Sequence, residues 1–459
     1  LRNIRLTIQA DEAGGTRALL DVGAENTLLQ MQIIINSILH NIRAPTGAPG
    51  PVNKLSMTWL TNETGSESWW RTLQQQGLPL IEPAERGECA VTFFWRDPQG
   101  SEATSSTRRV WINITGVTDH HQRAAPRSLS RIPGTDVWFW RTQLPASWRG
   151  SYCLMPDSDP ADFEGEPDMT TLRAWWREKF PTAQADALNP QRGWAGGRGM
   201  HVSPLHLPDA PDQRVWQAVD SGRAPTLPLQ HHIWHSARLG NRRSVWIYAT
   251  GDAQPTERPL ALLLDGQFWA NSMPIAWPLQ QLTDAGELPP AVYVMIDIIG
   301  REHRSRELPC NPDFWLALQE ELLPQLQGWA PHRVSAAETL VSGQSFGGLS
   351  SVYAALNWPH HFGGAISLSG SFWWPERGQP NGRLIQQLQQ GEYRLAPSRI
   401  YLEAGRREQL IFKANQQLQQ DLSAAGHQVV FHPVDGGHDA LCWRGGLLNG
   451  LKAMWQHLL

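Results

Sequence analysis

Cysteine is scarce in this sequence. The four present, Cys89, Cys153, Cys310 and Cys442, are far apart and form no C-x-x-C pair. Neither a disulfide framework nor a thiolate metal site is suggested, and a reducing compartment fits. Long apolar runs are missing as well. None approaches the roughly 20 residues that a bilayer-spanning helix needs, and no charged-then-apolar leader opens the sequence. Nor does one sign of charge dominate: Lys+Arg 39 against Asp+Glu 43 leaves a net charge of −4. Binding of nucleic acid or anionic membrane through bulk charge is therefore not expected. The expectation is a soluble cytoplasmic protein with neither of those partners.

Tryptophan, by contrast, is abundant, at 23 residues. Most are expected as core filler, and a minority could line a site for an aromatic ligand. A length of 459 residues suggests two or three domains.

The most informative stretch is 339–358, TLVSGQSFGGLSSVYAALNW. It contains Gly343-Gln344-Ser345-Phe346-Gly347, a match to G-x-S-x-G, which places a serine on a tight strand-to-helix turn. The glycines let strand and helix crowd together around a strained nucleophile. The following helix aims its first N–H groups at developing negative charge. Five residues are weak evidence alone, but their context agrees. Thr339–Ser342 reads as a buried strand, Leu349, Val352, Tyr353 and Leu356 fall at helical spacing, and Trp358-Pro359 stops the helix.

Taken in order, residues 1–56 do not read as part of a fold. They hold a breaker-rich tract at 43–51 and a short apolar run at 31–39, and are expected to be a disordered or mis-assigned extension. Residues 57–200 read as an all-β sandwich, with strands at 89–96, 109–114, 136–142 and 150–155, no long helical pattern among them, and one helix near 171–180. Residues 201–235 read as a linker. Residues 236–459 alternate strand and helix, with strands at 243–250, 258–265, 291–298, 364–368, 399–403 and 428–433 and a helix at 313–326. That alternation predicts a mostly parallel sheet with helices on both faces, and with the serine turn the α/β-hydrolase arrangement. His120-His121 read as loop residues. His231, His232 and His235 could face one another only on a helix, and no metal is expected there.

A serine hydroxyl needs a base, and this fold orders its triad Ser, acid, His. His438, in the glycine-flanked loop after the last predicted strand, leads over His360, His361, His427 and His432. Two acids compete, Glu403 at the strand tip and Glu408 in the loop beyond Gly405. The loop favours Glu408, with a salt bridge to Arg406 or Arg407 as the plainer role for either; Asp439 reads as structural. The oxyanion donors are expected at Phe346 and in the Gly266-Gln267 turn.

SGQSFGGLS, VDGGHDALCWRGG, LLDGQFW, HRSRELPCN, WRDPQG, RVWINITGVTDHH and GTDVW together resemble the enterochelin (enterobactin) esterases of enteric bacteria, from about residue 65 to the C-terminus. The resemblance implies an all-β N-terminal domain and an esterase D-like α/β-hydrolase domain. It implies hydrolysis of the trilactone of ferric enterobactin, and of its linear esters, to 2,3-dihydroxybenzoylserine units in the cytoplasm. It also implies Ser345 as nucleophile, His438 as base, Glu408 as acid and Arg304 as a substrate contact near the oxyanion. Iron would enter with the substrate, so no cofactor is implied. An anionic aromatic substrate suits arginine and tryptophan; Trp269, Trp373, Trp374, Trp443 and Arg444 join Arg304 as pocket candidates, although a lone tryptophan is more often core. The rival readings are an acyltransferase on the same fold and a carrier that binds ferric siderophore without cleaving it.

Overall fold

A computed structural model describes residues 57–196, 200–394 and 396–459, with the backbone of three short strands nearer the N-terminus. Those strands, β1 (Arg5–Ala10), β2 (Thr16–Asp21) and β3 (Lys54–Ser56), pair antiparallel in the order β2-β1-β3. The segment read as lying outside any fold thus contains paired strands. The remainder of 1–56, including the apolar run, lies outside the described residues.

The chain divides into two compact units. One runs through Ile114 and takes in Thr118–Ser147 and Tyr152–Asp209; the other holds Thr115–Val117, Trp148–Ser151 and Ala210–Leu459. In the first, β4 (Leu80–Pro83), β5 (Glu88–Arg96), β6 (Arg109–Ile114), β7 (Arg127–Arg131), β8 (Val137–Pro145), β9 (Arg149–Asp157), β10 (Trp194–Ala195) and β11 (His201–His206) form a ladder of order β10-β11-β9-β6-β7-β8-β5-β4. The sandwich expectation pictured two sheets, whereas this ladder is continuous. Its joint is β7, which pairs with β6 through Leu129 and then with β8 through Ser130 and Arg131. The ladder still doubles back on itself. Phe93 of β5 and Tyr152 of β9, not neighbours in the ladder, bring their rings within 4.9 Å.

The first unit also holds a helix that periodicity did not reveal, α1 (Glu67–Gln76). Ser66 caps it, accepting from Trp69 N at 3.1 Å. Its buried Trp69 and Trp70 join Trp59, Phe94 and Phe139 in one aromatic cluster. A second helix, α2 (Met169–Lys179), starts at Asp168 and matches the expected one to within two residues.

The second unit is built on β12 (Gln230–Ser236), β13 (Asn241–Ala249), β14 (Leu260–Leu263), β15 (Val292–Ile296), β16 (Leu340–Gln344), β17 (Gly364–Leu368), β18 (Arg399–Gly405) and β19 (Gln428–Val434). Their order is β12-β13-β15-β14-β16-β17-β18-β19. The first two pairings are antiparallel and the rest parallel. All of β14 to β17 is buried, as strands covered on both faces must be. The stretch read as a linker contains β11 and β12. The second was missed because an edge strand carrying three histidines shows no apolar run. The expected helix at 313–326 is helical from Pro312 to Trp329, with a π-turn at Leu318–Leu322 just before Pro324. Proline cannot donate to the preceding turn, and the wider π-turn accommodates the lost bond. Among the described residues no helix is long and apolar enough to cross a membrane.

Gly266, just past β14, packs against the backbone of β15, where an added Cβ would lie 2.2 Å from Ile296 N. Gly266→Ala is expected to cost about 1–3 kcal/mol in urea unfolding. Gly328→Ala, in an exposed helical turn with nothing within 4 Å, should instead gain up to about 1 kcal/mol.

Candidate active site

Ser345 sits between β16 and α3 (Phe346–Asn357) with φ 60 and ψ −120, a conformation that L-residues avoid. The turn is possible because Gly343 lacks a side chain: a Cβ there would lie 2.5 Å from the Gly347 carbonyl. The neighbouring strand end holds the turn from both sides. Ser345 N donates to Leu368 O at 2.9 Å, and Ser371 N donates to Ser345 O at 3.1 Å. The Ser345 hydroxyl lies 3.3 Å from Ser371 Oγ.

His438 follows β19, and its Nδ1 is 2.6 Å from Glu408 Oε1. Glu408 ends a short turn after β18 and is only 1% exposed. Its other oxygen accepts from Gly405 N at 2.6 Å and from Ser369 Oγ at 2.8 Å. Trp443 Nε1 in turn donates to Ser369 Oγ at 2.8 Å, while its ring meets that of His438 edge-on at 4.8 Å. An ionised carboxylate only accepts, so the proton between Glu408 and His438 belongs on Nδ1. That leaves Nε2 as the basic nitrogen. The residue after His438, Asp439, caps α4 (Ala440–Trp455) through Leu441 N at 2.7 Å. Its second oxygen accepts from Ser151 N and Oγ of the same unit at 2.6 and 2.7 Å, a structural task.

The two candidate acids differ in their partners. Arg406 pairs with Asp435 at 3.2 Å rather than with either acid. Glu408 reaches His438. Glu403 lies buried against α4, where a Cβ on Gly446 would come within 2.2 Å of its Oε2, and that oxygen has no hydrogen-bond partner among the described residues. Burial, and then the neighbouring Glu408 charge, push the Glu403 carboxyl up to about 8.

Phe346 opens α3, where the first N–H groups lack partners within the helix. Gln267 follows the turn after β14, and its side-chain oxygen accepts from Ile298 N at 3.4 Å. Arg304 ties the two regions together. It forms a two-pronged ion pair with Asp265 at 3.0 Å and donates to Gln344 O, the carbonyl preceding the nucleophile, also at 3.0 Å. Its charge is thus already matched by a carboxylate, which the sequence reading did not foresee.

The aromatic candidates separate. Trp269 is 1% exposed and packs edge-on with Phe268, so it is core and offers no face to a ligand. Arg444 is fully buried, bonded to Asp220 and Gln213 over the Trp216 ring, and is likewise structural. The half-buried Trp443 spends its N–H on Ser369. Trp373 and Trp374 are half-buried, and Trp373 stands 6.0 Å from the Phe346 ring. Ser369 and Asp265 were not singled out as site residues. Both have positive φ, at 49 and 52, and no sequence signal marks such strain in a serine or an aspartate.

Among the described residues no three His, Cys, Asp or Glu side chains are grouped to hold a metal. His231, His232 and His235 lie on a strand, with His231 bonded to Ser244 and His232 stacked on Trp329.

Residues 90–216 match the family model for the enterochelin esterase N-terminal domain, and residues 236–454 match that for putative esterases. The chain is 53% identical over 399 residues to an iron(III) enterobactin esterase of Escherichia coli strain K12, covering 86% of this chain and 98% of that protein. An iron(III) enterobactin esterase of Dickeya dadantii is 45% identical over 412 residues, covering 85% of this chain and 93% of that one. The crystal structure of a ferric enterobactin esterase from Salmonella typhimurium superposes with a TM-score of 0.80 at 52% identity, covering 86% of this chain and 99% of that one. The enterobactin esterase of Shigella flexneri, crystallised in the presence of enterobactin, gives 0.78 at 52% identity, covering 86% and 100%.

Ser369→Ala removes a hydrogen bond to a buried carboxylate worth about 1.5–3 kcal/mol. It is expected to lower kcat/KM about 10- to 100-fold, with a smaller loss for Trp443→Phe; steady-state kinetics on a folded variant checks both. Glu403 makes a separate prediction about stability. Between its ordinary value of 4.5 and about 8 the native state keeps a proton that the unfolded chain releases. Its contribution to stability therefore falls as pH rises through that window, by at most about 1.4 kcal/mol per pH unit. Glu403→Gln should flatten the decline, seen as a Tm gain over wild type that is larger at pH 8 than at pH 5.

Proposed function

The chain belongs to the enterochelin esterase family, and from that membership we propose how its residues carry out the reaction. It is a carboxylic ester hydrolase that cleaves iron(III) enterobactin. The reading of the site rests on one observation, the strained Ser345 turn together with the 2.6 Å contact between His438 Nδ1 and Glu408 Oε1. Ser345 Oγ attacks a lactone carbonyl carbon while His438 Nε2 takes its proton. Phe346 N and Gln267 N donate to the resulting oxyanion, each such donor being worth about 10²–10³ in rate. Collapse of the tetrahedral intermediate expels the serine alcohol of the substrate, which recovers the proton from His438. Water, activated by the same nitrogen, then releases the acyl group from Ser345. Glu408 stays ionised throughout and stabilises the imidazolium. Arg304 acts through the Gln344 carbonyl and Asp265, holding the Ser345 turn against the Gln267 turn.

For the second unit we propose the α/β-hydrolase class. Its support is the strand order, with two antiparallel pairings at the first edge and parallel pairings to the last. For the first unit we propose a sandwich formed by one folded-over ladder, supported by the Phe93–Tyr152 contact. The substrates extend to the linear esters, since each carries the same serine ester. The chemistry asks for no protein-held cofactor, because iron belongs to the substrate. A cytoplasmic location fits four buried cysteines that are not disulfide-bonded.

Product analysis of ferric enterobactin tests the assignment. Wild type is expected to yield dihydroxybenzoylserine trimer, dimer and monomer, with Ser345→Ala slower by about 10⁶. Binding without cleavage by both proteins would favour a carrier, and transfer of the acyl group to added glycerol would favour an acyltransferase.

A further inference from the structure

Two arginines near the nucleophile form no ion pair among the described residues, unlike Arg304 beside them. Arg301 begins the helix Arg301–Glu307 and lies one turn before Arg304, on the same side of it. Arg377 follows Trp373 in the loop after β17, its guanidinium carbon 4.8 Å above the Trp373 ring. That ring is 6.0 Å from Phe346, the residue next to Ser345, and Arg304 sits 5.7 Å above the Phe346 ring. A continuous path of rings and guanidinium groups thus leads away from the nucleophile. Both Arg301 and Arg377 are exposed, and among the described residues neither forms an ion pair, not even with their chain neighbours Glu302 and Glu376. Although the residue as a whole is exposed, burial of its guanidinium, and then the Arg301 charge, hold Arg377 below the ordinary arginine value. Two like charges, neither of them in an ion pair among the described residues, are poised for an anion.

We propose that Arg301, Arg377 and the face of Trp373 form an anion subsite that reads the charge of the ferric catecholate complex and so sets a preference for iron-loaded over iron-free ester. The inference rests on the esterase reading above. Catechol hydroxyls give up their protons when they bind ferric iron, so the loaded substrate is an anion with aromatic faces. The iron-free ester is nearly uncharged near neutral pH. Arginine answers the charge and tryptophan the ring. Arg304 is less suited to this discrimination, because Asp265 already neutralises it. The subsite touches the catecholate end of the substrate rather than the reacting ester, so its energy should appear in KM and not in kcat.

The test compares ferric and iron-free enterobactin on wild type, Arg301→Ala, Arg377→Ala and the double variant. Arg214→Ala, a surface arginine paired with Asp212, controls for the change in net charge. The expected result is a KM for the ferric ester raised about 3- to 10-fold by each single change and more by both. The kcat should be unchanged, and iron-free KM should move less than about twofold. Added salt should erode the ferric preference of wild type but not that of the double variant. Equal shifts on the two substrates, or no shift on either, overturn the subsite while leaving the esterase reading intact. A wild-type enzyme that cleaves neither substrate overturns the esterase reading, and the subsite with it.

Discussion

A carboxylate buried as deeply as Glu408 survives as a charge only if its oxygens are met by donors. Here the donors come from three successive strand ends: Ser369 after β17, Gly405 at the end of β18, and His438 after β19. The rest of the site follows from that requirement. The parallel register, Leu368 beside Glu403 and Glu403 beside His432, brings those ends to one edge of the sheet. In an antiparallel sheet neighbouring ends would point in opposite directions, and the three donors could not converge.

The same edge concentrates backbone strain. Ser345, Ser369 and Asp265 all adopt positive φ without being glycine, as does Gln409 just past Glu408. Each is tied to a site element. Ser345 is held by Leu368 O and Ser371 N, Ser369 by the Glu403 carbonyl, and Asp265 by Arg304. Strain of this kind, about 1–3 kcal/mol per residue, persists only where surrounding bonds leave no alternative. The rigid sheet therefore does more than carry the nucleophile. It holds several disfavoured conformations together at the place where they orient donors and acceptors.

Charge and aromatic surface follow a different logic on the two sides of the nucleophile. Arg444 and Arg304 are both satisfied, one by Asp220 and the other by Asp265, and both hold structure in place. Arg301 and Arg377 are exposed and form no ion pair among the described residues, and Arg377 lies over the Trp373 ring. Residue type did not separate these roles, and neither did position in a motif; burial and the presence of a carboxylate partner did.

Local sequence carried a good deal. Gly343, Ser345 and Gly347 announced the turn because its geometry excludes side chains at both glycines, a constraint that acts over five residues. The buried strands β14 to β18 were legible because strands covered on both faces must be apolar throughout. His438 was legible from its glycine-flanked loop after the last strand. What sequence alone left open was whatever depends on who faces whom. Glu403 and Glu408 are the same residue type and nearly adjacent, and the choice between them lies in which one meets His438 and which is buried beneath Gly446. Trp269 and Trp373 are alike as residues, but only packing made one core and left the other half-open. The polar edge strand β12 escaped notice because it carries no apolar run, and the helix α1 because its apolar face is only Trp69, Trp70 and Leu73 in a ten-residue segment. Ser369 was invisible as a functional residue, because its role consists of two hydrogen bonds to residues 39 and 74 positions away. Motifs and periodicity report short-range constraints, while partnership across the sheet is set by the folded chain alone.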